Sequence, residues 1–316
     1  MIINILILVL GFVILIKGAD IFVDGASSIA GNFKVSKMLI GLTIVAFGTS
    51  APELAVSIKS IINGSGDIVL GNVIGSNIIN ILLILGLSSL YHSLNVKNDT
   101  IKKELPILLL ITIVFSVLLL DNLFNKNYIA VFTRSDGIIM LLFFTVFVYY
   151  LIGIARKKID TETEEYVPML KAVAFVIVGL VSIILGSNLV VDNASILAKT
   201  IGVSEKMIAL TIISLGTSLP ELVTSIVATK KGEYDIAIGN IVGSNMFNLG
   251  IVIGIPVTLF GGITRITFNY IDLIVMIISV FLIYIFSLKN KKITKKQGLL
   301  LLLIFLFYYT YIIFNG

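Results

Sequence analysis

The chain matches itself at a fixed offset of 168 residues. Val35–Asn80 aligns with Val203–Asn248 without a gap, and 23 of 46 positions are identical. Apolar composition alone would match Ile with Ile, but it would not keep polar and conformationally special residues in register. Here Gly48-Thr49-Ser50-Ala51-Pro52-Glu53 falls on Gly216-Thr217-Ser218-Leu219-Pro220-Glu221. Gly71-Asn72, Gly75-Ser76-Asn77 and Asn80 fall on Gly239-Asn240, Gly243-Ser244-Asn245 and Asn248. A weaker match upstream sets Gly18 and Asp24 on Gly186 and Asp192. Any fold for this chain must be built from two copies of one unit.

The solvent of that unit follows from composition. Of 316 residues, 58% are hydrophobic and 13% charged, with mean hydropathy +1.10. One water-soluble core cannot hide so much apolar surface, so the bilayer is the solvent for most of it. Ten apolar spans are predicted at 3–28, 37–62, 67–91, 104–121, 135–155, 169–197, 204–229, 235–260, 268–288 and 297–314. Each is near the ~20 residues that a bilayer crossing needs. Met1–Leu15 has neither a basic start nor a small-residue cleavage site, and reads as part of a retained helix. The absence of Cys and the single His exclude a disulfide framework, a thiol nucleophile and a Cys/His zinc cluster. His92, in a polar stretch, reads as a solvated loop residue. The net charge of +5 lies in clusters between apolar runs, which does not suit nucleic acid.

Five spans separate corresponding positions, and five is odd, so the second copy enters the membrane from the opposite side. The expected fold is therefore an all-α membrane protein of ten transmembrane helices. These form two inverted-topology five-helix repeats, 1–156 and 169–316, joined by a short linker at 157–168. If the N-terminus is outside, sixteen Lys and Arg flank the inner face and six the outer, with Lys17 left inside the first span. The positive-inside rule then places both termini outside and the linker in the cytoplasm, in the cell membrane.

In a soluble protein Ser50-Ala51-Pro52-Glu53 would be a capping box, with Ser as N-cap and Glu three residues on. Here the pattern lies in mid-span, twice. A helix that begins there requires the preceding half-helix to stop, and Pro52 and Pro220 disfavour a continuous helix just before them. Helices 2 and 7 are thus expected to be broken. Broken backbone in lipid survives only where it is buried in protein or lines a cavity. The break is expected to free carbonyls near Ala46, Phe47 and Thr49, and near Ser214, Leu215 and Thr217. Such oxygens, with Thr and Ser hydroxyls and a carboxylate, are hard ligands that suit Na⁺ and Ca²⁺. Glu53 and Glu221 have no Lys or Arg in their motifs, and an ionised side chain at mid-membrane costs roughly 2.5–3.5 kcal/mol on insertion scales. A cation is the natural partner, and the pseudo-two-fold axis brings both carboxylates to one site. Two carboxylates balance one Ca²⁺ or two Na⁺, and a third Na⁺ would leave the site positive, so exchange would move charge.

Asn72, Ser76 and Asn80, like Asn240, Ser244 and Asn248, form polar stripes at i, i+4, i+8. Ligation is favoured for Ser76, Asn80, Ser244 and Asn248. Asn72 and Asn240 are equally suited to helix packing beside Gly71-x-x-x-Gly75 and Gly239-x-x-x-Gly243. Asp24 and Asp192 read as structural, within reach of water or a loop lysine. Asp67 and Asp235 read as helix caps.

Gly-Thr-Ser-x-Pro-Glu followed by Gly-Asn-x-x-Gly-Ser-Asn-x-x-Asn, twice, resembles the α-repeats of the sodium/calcium exchanger family, within the cation/calcium antiporter superfamily. The resemblance covers the whole length and implies alternating access, with Na⁺ entry driving Ca²⁺ out. By that resemblance Glu53 and Glu221 bind Ca²⁺ and Na⁺, and Thr49 and Thr217 offer carbonyls and hydroxyls. Ser50, Ser76, Ser218 and Ser244 offer hydroxyls to flanking Na⁺ sites, Ala46 and Ser214 offer backbone oxygens, and Asn80 and Asn248 line the middle. K⁺-dependent exchangers carry Asp where this chain has Asn248, which counts against K⁺ co-transport. The linker is too short for the regulatory domains of animal exchangers, and the chain resembles a minimal prokaryotic member. No cofactor and no obligate protein partner are expected, only the transported ions and the bilayer. Two other readings stay open: a Ca²⁺/H⁺ antiporter of the same superfamily and, more remotely, a cation channel, although filters usually need rotational symmetry. A membrane hydrolase has no second acid, His or Cys near either glutamate.

Overall fold

The computed structural model describes residues 1–121, 131–157, 166–203, 208, 211–212, 214–264 and 269–315. The chain opens with α1 (Ile2–Phe33), an apolar helix without interior proline, closed by Lys34 in the left-handed conformation at φ 56°. Its 32 residues span about 48 Å, more than the ~30 Å hydrocarbon core. The helix in the corresponding place, α9 (Met169–Thr200), is also 32 residues long. The two pack against each other, and their glycines decide how. A Cβ on Gly11 would lie 3.1 Å from the Gly186 carbonyl, and one on Gly18 3.0 Å from the Gly179 carbonyl. Because 11 meets 186 and 18 meets 179, the helices are antiparallel. In lipid no hydrophobic force draws helices together, so this close backbone approach is what van der Waals packing needs.

Between them in sequence, α2 (Lys37–Ile40) runs through a wide π-type turn at Gly41–Val45 into α3 (Ala46–Thr49), and α4 (Ala51–Ile62) follows after a 43° bend. Next, α5 (Gly66–Ile78) passes through a π-type turn at Ile79–Ile84 into α6 (Leu85–Tyr91). The chain continues as α7 (Leu105–Leu119), entered through a π-type turn at Thr100–Glu104, and α8 (Arg134–Ala155), started by a Thr133–Asp136 capping box. After α9 come α10 (Ser214–Thr217), α11 (Leu219–Lys230) and α12 (Tyr234–Phe247). A π-type turn at Asn248–Val252 leads into α13 (Ile253–Phe260), and α14 (Tyr270–Asn290) and α15 (Lys295–Asn315) complete the chain.

Among the described residues seven helices are long and apolar enough to cross a bilayer, or eight if the bent pair α2–α4 is one span. The expected fourth span is α-helical only over Leu105–Leu119. The expected seventh, at 204–229, lies partly outside the described residues, as does most of the linker at 157–168. Two short strand pairs were not foreseen. Leu94–Asn95 (β1) pairs antiparallel with Lys292–Ile293 (β4), and Val131–Phe132 (β2) with Ile263–Thr264 (β3). Each ties the first half of the chain to the second. The buried apolar residues fall into two clusters. A large one holds Leu42, Phe115, Phe147 and Leu249, and a smaller one gathers Leu15, Phe22, Val45 and Ile183 around α1.

Candidate cation site

The bend at Ser50 sets the site. Pro52 and Pro220 occupy the first turns of α4 and α11, as their missing N–H and fixed φ allow. Neither Ser50 nor Ser218 caps its helix with its side chain, so the capping-box geometry is absent in both copies. Instead the Ser50 hydroxyl crosses to the other repeat and donates to Glu221 Oε1 at 3.0 Å. The expectation of free carbonyls needs correction at Ala46, whose oxygen accepts the Ser50 N–H at 3.0 Å and the Thr49 hydroxyl at 3.4 Å. The second copy shows what proline releases. In an unbroken helix Gly216 would receive the N–H of residue 220, which proline lacks. Ser187 on α9 supplies the replacement, its hydroxyl donating to the Gly216 carbonyl at 3.0 Å.

Glu53 and Glu221 are each 1% exposed and lie within electrostatic reach of each other. Both carboxylate oxygens of Glu53 are buried without a hydrogen-bond partner, and so is Glu221 Oε2. Asn80 Oδ1, Ser218 Oγ and both amide atoms of Asn248 are in the same condition. Around Glu221 the partners come from both repeats. Ser244 donates to its Oε1 at 3.5 Å, and Thr49 Oγ1 reaches Asn240 Oδ1 at 3.0 Å and Ser244 Oγ at 3.5 Å. A second network runs through amides, with Asn80 Nδ2 donating to Asn245 Oδ1 at 2.9 Å.

The helices that carry these groups are held by bonds that repeat at the 168 offset. Asn72 Nδ2 donates to the Glu53 carbonyl at 3.0 Å and to Ser57 Oγ at 3.1 Å. Asn240 Nδ2 donates to the Glu221 carbonyl at 3.4 Å and to Ser225 Oγ at 2.9 Å. These two asparagines position the broken helices. Asn80 and Asn248 stand in the π-type turns after α5 and α12, a rare feature concentrated at functional sites.

The structure thus joins Thr49, Ser50, Glu221 and Ser244 directly, with Glu53 beside them. Ser76 and Ser218 are buried, Thr217 is half-buried, and Ser214 is described in its backbone only. Away from the site, Asp24 accepts from Lys231 at 2.6 Å, the structural use expected of it. Asp67 and Asp235 lie inside the first turns of α5 and α12 rather than at the cap positions, which are Ser65 and Glu233. Asp235 is paired with Lys97. His92 is exposed and stacks on Tyr234. Four residues of these networks escaped the sequence reading as site groups: Ser57, Ser225, Asn77 and Asn245. Their identity at the 168 offset was the available signal.

Among the described residues no group of three or more His, Cys, Asp or Glu could hold a metal. The donor set is two carboxylates with hydroxyl, amide and carbonyl oxygens. That chemistry fits a hard cation and excludes a soft one.

Comparisons with known proteins bear on the chain as a whole. A family model described as sodium/calcium exchanger protein matches residues 3–153 and 171–314. This chain belongs to the sodium/calcium exchanger family. It is 38% identical to the putative antiporter CaxA of Alkalimonas amylolytica over 97% of both chains. It is 31% identical to the sodium/calcium exchanger MaX1 of Methanosarcina acetivorans, covering 80% of this chain and 82% of that one. The fold superposes on the sodium-calcium exchanger NCX_Mj, solved after soaking in Na⁺ and Ca²⁺, with TM-score 0.84 and 30% identity over 100% and 99% of the two chains. The exchanger is a multi-pass membrane protein of a cation/calcium antiporter family, a transporter family rather than an enzyme class.

Proposed function

We propose that this exchanger moves Na⁺ against Ca²⁺ by alternating access around one site shared by its two repeats. The observation that carries the reading is the set of buried oxygens without partners on Glu53, Glu221 and Asn80, beside hydroxyls already turned inward. Glu53 and Glu221 hold the cation. Thr49, Thr217, Ser50, Ser218, Ser76, Ser244, Asn80 and Asn248 complete its shell, with the backbone oxygens of Ala46 and Ser214. The Ala46 carbonyl already accepts from the Ser50 N–H and the Thr49 hydroxyl, so it reaches an ion when the longer Thr49 bond, at 3.4 Å, gives way. With Asn at 80 and 248 the site holds two carboxylates, which leaves K⁺ without a third.

Ten spans in two inverted five-helix repeats, 1–156 and 169–316, account for the antiparallel packing of the counterparts α1 and α9 and for bonds that recur at the 168 offset. Both termini lie outside the cell membrane and the 157–168 linker in the cytoplasm, and an inward Na⁺ gradient drives Ca²⁺ export. The test uses purified exchanger in liposomes. An outward Na⁺ gradient should drive uptake of radiolabelled Ca²⁺, with or without K⁺. Uptake driven by an outward proton gradient and not by Na⁺ would replace this reading with a Ca²⁺/H⁺ antiporter.

A further inference from the structure

The two repeats carry the same residues near the axis but make different bonds with them. Asn77 and Asn245 are counterparts, as are Asn80 and Asn248, and Val73 and Ile241. Asn77 turns its Nδ2 back onto its own helix, donating to the Val73 carbonyl at 2.7 Å. That bond fixes which end of its amide is the acceptor. Asn245 reaches across instead, its Nδ2 donating to the Asn77 backbone carbonyl at 3.4 Å while its Oδ1 accepts from Asn80 Nδ2 at 2.9 Å.

The mirror of the Asn80–Asn245 bond would run from Asn248 Nδ2 to Asn77 Oδ1. Both atoms are buried and both lack a partner. Each of the four asparagines is at most 1% exposed, so water does not satisfy them from outside. A bound cation explains an orphaned oxygen but not an orphaned N–H, which can only donate. Native interiors leave few such atoms, and here a donor and an acceptor are left together, one pair short of symmetry.

We propose that Asn77 and Asn245 are a switching pair of positioning residues. In this state the amide bridge closes as Asn80–Asn245, and in the opposite-facing state it closes as Asn248–Asn77 while Asn80–Asn245 opens. The proposal rests on the alternating-access reading above. Two related conformers of an inverted repeat exchange the environments of its halves, and a bond made in only one of them biases the equilibrium between them. Each bridge stabilises its own state, and together they balance.

Opposite shifts from the two variants test this. The chain has no cysteine, so single cysteines placed at Ser60 and Ala228, counterparts on α4 and α11, report access from the two faces. The readout is the ratio of their labelling rates with a membrane-impermeant maleimide. Asn245→Ser should shift that ratio away from the present state, and Asn77→Ser toward it, each by roughly fivefold, the scale of one net hydrogen bond. The double variant should return near the wild-type ratio. Variants that move the ratio together, or not at all, overturn the switch. If either fails to fold, the donor side repeats the test, because Asn80→Ser must follow Asn245→Ser and Asn248→Ser must follow Asn77→Ser. A wild-type ratio that never responds to Na⁺ or Ca²⁺ overturns the alternating-access reading and the switch with it. An ion-responsive wild type with variants moving together overturns the switch alone.

Discussion

At the residue scale the site turns on how a membrane interior treats polar atoms. Glu53 and Glu221 were legible in the sequence because a carboxylate in an apolar run demands a partner, and because each copy of the repeat points to the other. Thr49, Ser50 and Ser244 were legible for the same reason. Ser50 is not the helix cap it would be in a soluble protein, and its hydroxyl crosses to Glu221. Ser187 was hidden from any comparison of the repeats, because its counterpart is Ala19. A hydrogen bond to a charged group contributes roughly 1.5–3 kcal/mol. Ser50→Ala should therefore slow Ca²⁺ exchange about tenfold or more at low Ca²⁺, measured as initial flux into liposomes. An unchanged rate would remove Ser50 from the site.

At the element scale, the apolar spans and the bend at Pro52 could be read from sequence, but the π-type turns could not. They change the helical register at Ile79 and Asn248. A stripe counted at i, i+4, i+8 selects Asn72, Ser76 and Asn80, although Asn80 already stands in the turn, and passes over Asn77, one position off that face. The strands escaped for a simpler reason: two residues carry no alternation to detect. The α1–α9 contact is where small residues matter most. A Cβ at Gly179 would sit 2.6 Å from the Phe22 backbone nitrogen, whereas one at Gly153 meets nothing within 4 Å. Gly179→Ala should lower stability by about 1–3 kcal/mol through overpacking. Gly153→Ala should be neutral or stabilising by up to ~1 kcal/mol through helix propensity. Thermal unfolding in detergent compares the two, and equal shifts would contradict the close packing.

For the whole molecule, the apolar composition allowed an all-α membrane fold to be anticipated before any contact was known, and the self-match added that the sequence has two related halves. What it could not supply was the difference between the halves, because a self-match reports only what both copies share. The Ser187 bond to Gly216 and the one-sided amide bridge are both such differences. The proposed charge balance also belongs to this scale. Two carboxylates neutralise one Ca²⁺, and a Na⁺ load of three carries one charge more. Each net charge crossing the field couples to roughly 2.3 kcal/mol per 100 mV. Ca²⁺ flux should therefore respond to an imposed K⁺/valinomycin potential, and a flux insensitive to it would show electroneutral exchange.

The central claim is that two distant carboxylates make one site. Equilibrium binding of radiolabelled Ca²⁺ to the purified chain tests it most directly. One Ca²⁺ per chain should bind and be displaced by Na⁺, and Glu53→Gln and Glu221→Gln should each abolish it, because each removes half of the balancing charge. Two Ca²⁺ per chain, with one surviving in each variant, would show two separate sites and contradict the account.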